Sequence, residues 1–437
     1  VIIGGGLAGL SAAAALGASG YKVDLLEARN FLGGRAKSWP AVSPDGPVGQ
    51  EEAEVIDNCQ HVLLRCCNNL IDFYSRMGVN DQIRFYPEYY FLEPGGRTSK
   101  LRRGWLPAPM HFAGSFLQLK FLSLSDKIRI GMAMLAIRSE RHRADLDDIS
   151  MLDWLREKKQ SPRAIERYWR QVLVSAINEE LDRMAAAHGF QVFWLSMLAD
   201  KTSYEMGIPN VPLRDLYRQD SWARIGDVVI RPRKTVTGIE VRNSRVFGIQ
   251  VGEQRYSADY YISALPFERL APLGVSAPAF EHSPITGIHL WFDRPITNLP
   301  HAVLLDRTIQ WMFNKSGGRY VQVVVSASRS LTEMPRADVI ALAVRELAEF
   351  FPAARDAKLE KAQVIKEVRA TFSALPGLEK QRPETETILG NFFLAGDWTR
   401  SGWPATMEGA VRSGYLAAEA VTRAAGTPRR FLIPDVA

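Results

Sequence analysis

The run VIIGGGLAGL at the start of the chain, followed by YKVDLLEA, restricts the fold more than any other feature. A short apolar strand leads into Gly4, Gly6 and Gly9, which open a helix of small residues, and Glu27 closes the next apolar run. This is the spacing of a dinucleotide cradle. The first glycine permits a tight turn, the second lets the backbone approach a pyrophosphate, and the third lets the helix pack on the strand. Glu27 is placed for a ribose hydroxyl, and the helix amino terminus, with Leu7 and Ala8 in its first turn, is an anion site.

Which dinucleotide is held stays open on that motif alone. The run continues as EARNFLGGR, where Ala28 and Arg29 follow the acid and Gly33, Gly34 and Arg35 bring flexible backbone and a guanidinium toward the same pyrophosphate. This extension favours FAD over a nicotinamide. Near the carboxyl terminus, NFFLAGDWTRSGWPATMEGAVRSGYLAAEAV reads as strand, acid, loop and helix. Asp397, after Gly396, stands at the carboxyl end of that strand, where doubly wound folds place ligands, and could accept from ribityl or ribose hydroxyls. From Met407 the small or apolar positions Met407, Ala410, Val411, Gly414, Ala418 and Val421 recur at helical spacing, so a narrow face can approach another helix or a flat ring.

Together these segments resemble the amine oxidase and phytoene desaturase superfamily of FAD enzymes, in which both chain ends build one flavin site. The resemblance spans nearly the whole chain. It implies that Gly4, Gly6, Gly9, Glu27, Arg29, Gly34 and Arg35 hold the adenosine and pyrophosphate, while Gly396, Asp397, Thr406, Met407 and Ala410 line the ribityl chain and flavin. Ile230, in VVIRPRKTV, falls where the superfamily usually places a valine whose backbone meets the adenine. Ala264 and Pro266, in ADYYISALP, resemble a segment that crosses beneath the cofactor.

The expected architecture is α/β plus α+β: a discontinuous Rossmann-like FAD-binding domain with an inserted substrate domain of amine oxidase and phytoene desaturase type. The FAD domain is expected to comprise 1–75, 222–280 and 381–437, and the substrate domain 76–221 and 281–380. Residues 76–221 read as largely helical, 285–330 alternate as strands, and 335–351 is an amphipathic helix.

At 437 residues, with 46% hydrophobic and 23% charged residues, the chain has globular composition and room for a large core. Its three cysteines, Cys59, Cys66 and Cys67, lack zinc-ligand spacing and a disulfide framework, so no metal is expected and a reducing cytoplasm fits. The chain opens on a strand without an initiator methionine or signal peptide, so a few residues are expected to precede Val1 and no secretion is implied. A net charge of +6 comes with no nucleic-acid motif. Residues 101–143 mix Trp, Phe, Leu and Ile with Arg and Lys but never reach the ~20 apolar residues of a span. They read either as a peripheral patch on the inner face of the cell membrane or as amphipathic helices covering a cavity.

Four internal segments narrow the resemblance: 57–79 (DNCQHVLLRCCNNLIDFYSRMGV), 104–112, 169–183 and 202–217. They look like the squalene-associated FAD enzymes, the hydroxysqualene dehydroxylases. The implied reaction removes the allylic hydroxyl of hydroxysqualene to give squalene, using reduced flavin, in the bacterial route that feeds hopanoid or carotenoid-like synthesis. Cys59 stands where glycine is expected, and Arg65 replaces a small residue. Loss of the hydroxyl needs an acid in a dry cavity and a hydride for the cation. Asp57 and His61 are the candidate catalytic residues, followed by Glu180 and Glu205. A reductive reaction needs an external electron donor, either NAD(P)H visiting transiently or another protein, since no second glycine fingerprint is present. The rival readings are an oxidative desaturase of phytoene or a C30 polyene, and a non-catalytic isoprenoid-binding escort.

Overall fold

The computed structural model describes residues 1–41 and 54–436. Its first unit is built on a five-stranded parallel sheet whose strands, in spatial order, are Val228–Arg231, Val23–Leu26, Ile2–Ile3, Tyr261–Ser263 and Phe392–Leu394. Three widely separated parts of the chain therefore share one carboxyl edge. That edge carries Gly4, Glu27, Ala264 and, after Ala395, the Gly396–Asp397 pair. Parallel strands demand cover on both faces. The helix Leu7–Gly17, buried along its whole length, and the terminal helix Met407–Ala424 form part of that cover and pack on each other.

The composition of these two helices explains how closely they cross. LAGLSAAAALG has little side-chain bulk, and a Cβ on Gly414 would lie 2.2 Å from both the Ala8 carbonyl oxygen and the Ser11 hydroxyl. Only a bare Cα fits there. The Ser11 hydroxyl also reaches the Val411 carbonyl at 3.2 Å, tying the first helix to the last.

The second unit is centred on a seven-stranded, mainly antiparallel sheet in the order 359–372, 282–292, 320–326, 311–316, 301–304, 88–92 and 98–102. Alternation along YVQVVVS shows how the sheet is covered. Val321, Val323 and Val325 face the helix Arg336–Phe350 through Val339, Ala343, Leu347 and Phe350, whereas Val324 belongs to an aromatic core on the other side. That second core holds Tyr89, Phe112, Phe121, Tyr168, Trp169 and Phe193, roofed by helices within 113–198. The fold class is therefore the α/β plus α+β arrangement expected from the sequence.

The stretch 76–221 is less purely helical than its periodicity implied. Ile83–Tyr86, Glu88–Leu92, Thr98–Arg102 and Met206–Pro209 are strands. The reason is local: EYYFL and TSKLR flank a Pro-Gly-Gly turn, an aromatic-rich hairpin that extends the large sheet.

Replacing Gly414 with valine should force the first and last helices apart and cost about 3 kcal/mol of stability by overpacking. Calorimetric melting checks this; an unchanged transition would contradict the close crossing.

Candidate functional site

The cradle forms where the glycine turn meets the carboxyl edge. A Cβ on Gly9 would come within 1.9 Å of the Gly4 carbonyl oxygen, so the turn closes directly onto the helix. Gly6 differs: a Cβ there would meet only Gly34 Cα, at 3.9 Å. The space above Gly6 is open, bounded by Gly33 and Gly34 across an isolated bridge. Gly6 is the amino-terminal cap of the first helix and supplies no side-chain acceptor, which leaves the first-turn amides of Leu7 and Ala8 for an anion.

Glu27 is half-buried at the end of its strand, with Oε2 accepting from the Gly5 amide at 2.7 Å and Oε1 from the Arg29 amide at 2.8 Å. These bonds fix the carboxylate and leave lone pairs for ribose hydroxyls. Ala28 and Arg29 are exposed beside it. Ile230 is buried within the edge strand, in register with Leu25. The strand runs on into 232–237, where the Arg233 and Lys234 amides donate to the carbonyls of Arg29 and Glu27 and so hold this segment beside the acid.

From the other end of the chain, Asp397 is buried and accepts from Arg35 Nη2 at 2.6 Å. Arg35 also donates to the Ala370 carbonyl, so its guanidinium joins both termini to the substrate unit. Gly396 is held by Ser413, whose hydroxyl accepts the Gly396 amide at 2.8 Å. The buried Arg382 clamps the following loop through the carbonyls of Asp397 and Thr399 and the hydroxyl of Ser401. Neither Ser413 nor Arg382 is marked by a local motif. Thr406 caps the terminal helix by accepting from the Gly409 amide at 3.0 Å, leaving the Met407 and Glu408 amides free. Thr406, Met407 and Ala410 are half-buried on one face of an otherwise buried helix start. The open glycine cradle, the two helix amino termini and the hydroxyl acceptors Glu27 and Asp397 fit FAD.

Beside Arg35 runs the DNCQH segment. The Asn58 amide group donates to the Arg35 carbonyl, and a Cβ on Gly287 of the large sheet would lie 2.8 Å from the Asn58 carbonyl oxygen, so this segment joins the two units. Asp57 is buried, and its Oδ1 accepts from the Ser38 hydroxyl at 2.8 Å and from the Leu213 amide at 2.9 Å. It organises the segment as an acceptor. The His61 Nδ1 lies 3.1 Å from the Cys59 carbonyl, which can only accept, so Nδ1 carries the proton and Nε2 keeps its lone pair. Burial holds the imidazole below its ordinary value of 6.5. Cys59 is likewise a neutral thiol, pushed up to about 12 by burial.

Sequence reasoning missed Lys315, which donates to Gln60 Oε1 at 2.8 Å and stands 3.9 Å from Asp57 Oδ2. Burial lowers its pKa, with Asp57 opposing. A lone lysine in the strand WMFNKS is the signal that could have found it. Glu180 and Glu205 do not join the group. Glu180 pairs with Arg170, and Glu205 pairs with Arg65 and Arg103. Arg65, unexpected in its motif, also lies over the Phe85 ring. Among the described residues no group of three or more His, Cys, Asp or Glu is arranged to hold a metal.

Fold and cradle together define a flavoprotein oxidoreductase with an inserted substrate domain. The chain belongs to the flavin containing amine oxidoreductase family, whose model matches residues 7–422, and its cofactor is FAD. It is 27% identical to the 15-cis-phytoene desaturase of Synechococcus elongatus, covering 96% of this chain and 95% of that one. It is 25% identical to a probable zeta-carotene desaturase of the same organism, over 97% and 98% of the two chains. In fold it is similar to an oxidoreductase from Methanosarcina mazei, with a TM-score of 0.69 at 17% identity over 94% and 98% of the two chains. Putrescine oxidase also gives a TM-score of 0.69, at 14% identity over 97% of each chain.

Gly6→Val should leave the fold intact, since its side chain meets open space, yet yield colourless protein. Far-ultraviolet dichroism and the flavin absorbance check both halves; normal FAD occupancy would sink the assignment. Asp397→Ala should weaken retention less severely.

Proposed function

We propose that this chain is a FAD-dependent oxidoreductase that desaturates a long isoprenoid polyene. The observation that carries the reading is the similarity to the phytoene desaturase of Synechococcus elongatus across nearly the full length of both chains. Desaturation removes a hydride and a proton from adjacent carbons. FAD supplies the hydride acceptor. The chain must supply a base, and His61 fits that need: Nδ1 donates to the Cys59 carbonyl, Nε2 keeps its lone pair, and burial holds the ring below its ordinary value. Asp57 and Lys315 hold the segment that carries it.

A second reading, reductive removal of the allylic hydroxyl of hydroxysqualene, is favoured by the four segments 57–79, 104–112, 169–183 and 202–217. It needs a proton donor beside the leaving oxygen and an external source of electrons. The described geometry supports it less, because Asp57 is engaged as an acceptor and His61 is held neutral.

Anaerobic mixing separates the two. Under the desaturase reading, oxidised enzyme is bleached by phytoene or a C30 polyene and yields the product with one more double bond. Reoxidation of chemically reduced enzyme by hydroxysqualene, with no bleaching by polyene, would reverse the assignment.

His61→Ala should keep FAD and slow the reductive half-reaction by roughly 10². The pH profile follows from the lowered imidazole. A base acts when neutral, so the rate should stay flat as pH falls to 6.5 and drop only below it, where His61 takes up its proton. A limb centred above 6.5 that survives in His61→Ala would assign the base elsewhere.

A further inference from the structure

The helix Leu124–Glu140 has two apolar faces. Ile130, Ala133 and Ile137 pack inward on the aromatic core. Leu124, Ile128, Met132 and Leu135 follow helical spacing on the outward side and are 56–67% exposed. Trp105, 92% exposed, Met110 and Leu117 stand in the preceding segment. That segment is folded against the helix: Lys127 Nζ donates to the Leu117 carbonyl, the Ser115 hydroxyl to the Arg102 carbonyl, and the Gly104 amide to the His111 carbonyl. Of the fourteen large apolar residues exposed among the described residues, seven lie between 105 and 135. Single exposed apolar side chains are ordinary, but such a concentration marks an interaction surface.

Charge selects the occupant. Residues 100–141 contain eight Lys or Arg and two carboxylates, Asp126 and Glu140. Both carboxylates are already engaged, Asp126 by Ser123, Ser161 and Arg163, and Glu140 by Trp154, Lys158 and Arg143. Lys120, Lys127, Arg129, Arg138 and Arg141 take part in no ion pair among the described residues. A second copy docking through the same patch would set these cations against one another. No helix among the described residues is long and apolar enough to cross a membrane. The outward face is therefore suited to lying in an interface, with apolar side chains below the headgroups and cations among them.

We propose that the outward face of Leu124–Glu140, with Trp105, Met110 and Leu117, is a docking surface for an anionic lipid bilayer. The inner face of the same helix borders the aromatic core, so docking sets that core beside the acyl layer. The inference rests on the surface and not on the direction of the reaction.

Flotation of the FAD-loaded protein, without substrate, tests it on phosphatidylcholine vesicles and on phosphatidylcholine mixed with phosphatidylglycerol. Binding is expected on the mixed vesicles, weakening as salt is raised. The double variant Met132→Glu, Leu135→Glu should lose binding at least about tenfold with unchanged flavin absorbance. Should that variant lose its flavin, Arg129→Glu with Arg138→Glu, both on the solvent side, should weaken binding to anionic vesicles alone. No flotation of the wild type on either lipid would overturn the proposal, as would variants that bind like the wild type. A wild-type dimer that Met132→Glu, Leu135→Glu converts to monomer, with no lipid binding, would assign the face to a second copy instead.

Discussion

The crossing of the first and last helices is the constraint on which the site depends. Gly414 allows the terminal helix to approach within backbone contact of Ala8 and Ser11, and the Ser11 hydroxyl bridges to Val411. Held there, the two helices present amino termini to one cradle, the first through Leu7 and Ala8 and the last through Met407 and Glu408. A longer side chain at the crossing would separate the half of the site that receives pyrophosphate from the half that receives the ring. The ion pair of Arg35 with Asp397 repeats the connection at the sheet edge.

The substrate half adds what the cradle lacks, a polar group with a defined protonation state inside an apolar unit. His61 donates through Nδ1 and so exposes a basic Nε2, while the carboxylate of Asp57 is occupied by Ser38 and Leu213. Burial is the dominant cause at His61, Cys59 and Lys315, and in each case it disfavours the charged form. His61 and Cys59 are thereby kept neutral next to the Asp57 and Lys315 pair, which leaves an uncharged imidazole as the proton acceptor.

Much of the cofactor site was legible in the sequence because its signals are local. Gly4, Gly6 and Gly9 have a fixed spacing, Glu27 ends a strand of regular length, and Gly396–Asp397 follows a short apolar run. The pairing of Arg35 with Asp397 was not legible, since it joins residues far apart whose expected partners were ligand atoms. Arg382, Ser413 and Lys315 act through tertiary contacts with no spacing rule. The two donors that Asp57 accepts from, the Ser38 hydroxyl and the Leu213 amide, come from distant parts of the chain and are brought to it only by folding. The hairpin at 88–102 shows the same limit for the fold: its aromatic strands and Pro-Gly-Gly turn sit in a segment where helical periodicity prevails around them.

The central claim is that both ends of the chain build one FAD site. Hydrogen exchange on the apoprotein titrated with FAD tests it most directly. The amides of Leu7 and Ala8 and those of Met407 and Glu408 should gain protection together, saturating at one FAD per chain. Protection confined to the first helix, with the start of the terminal helix unchanged at saturation, would contradict it.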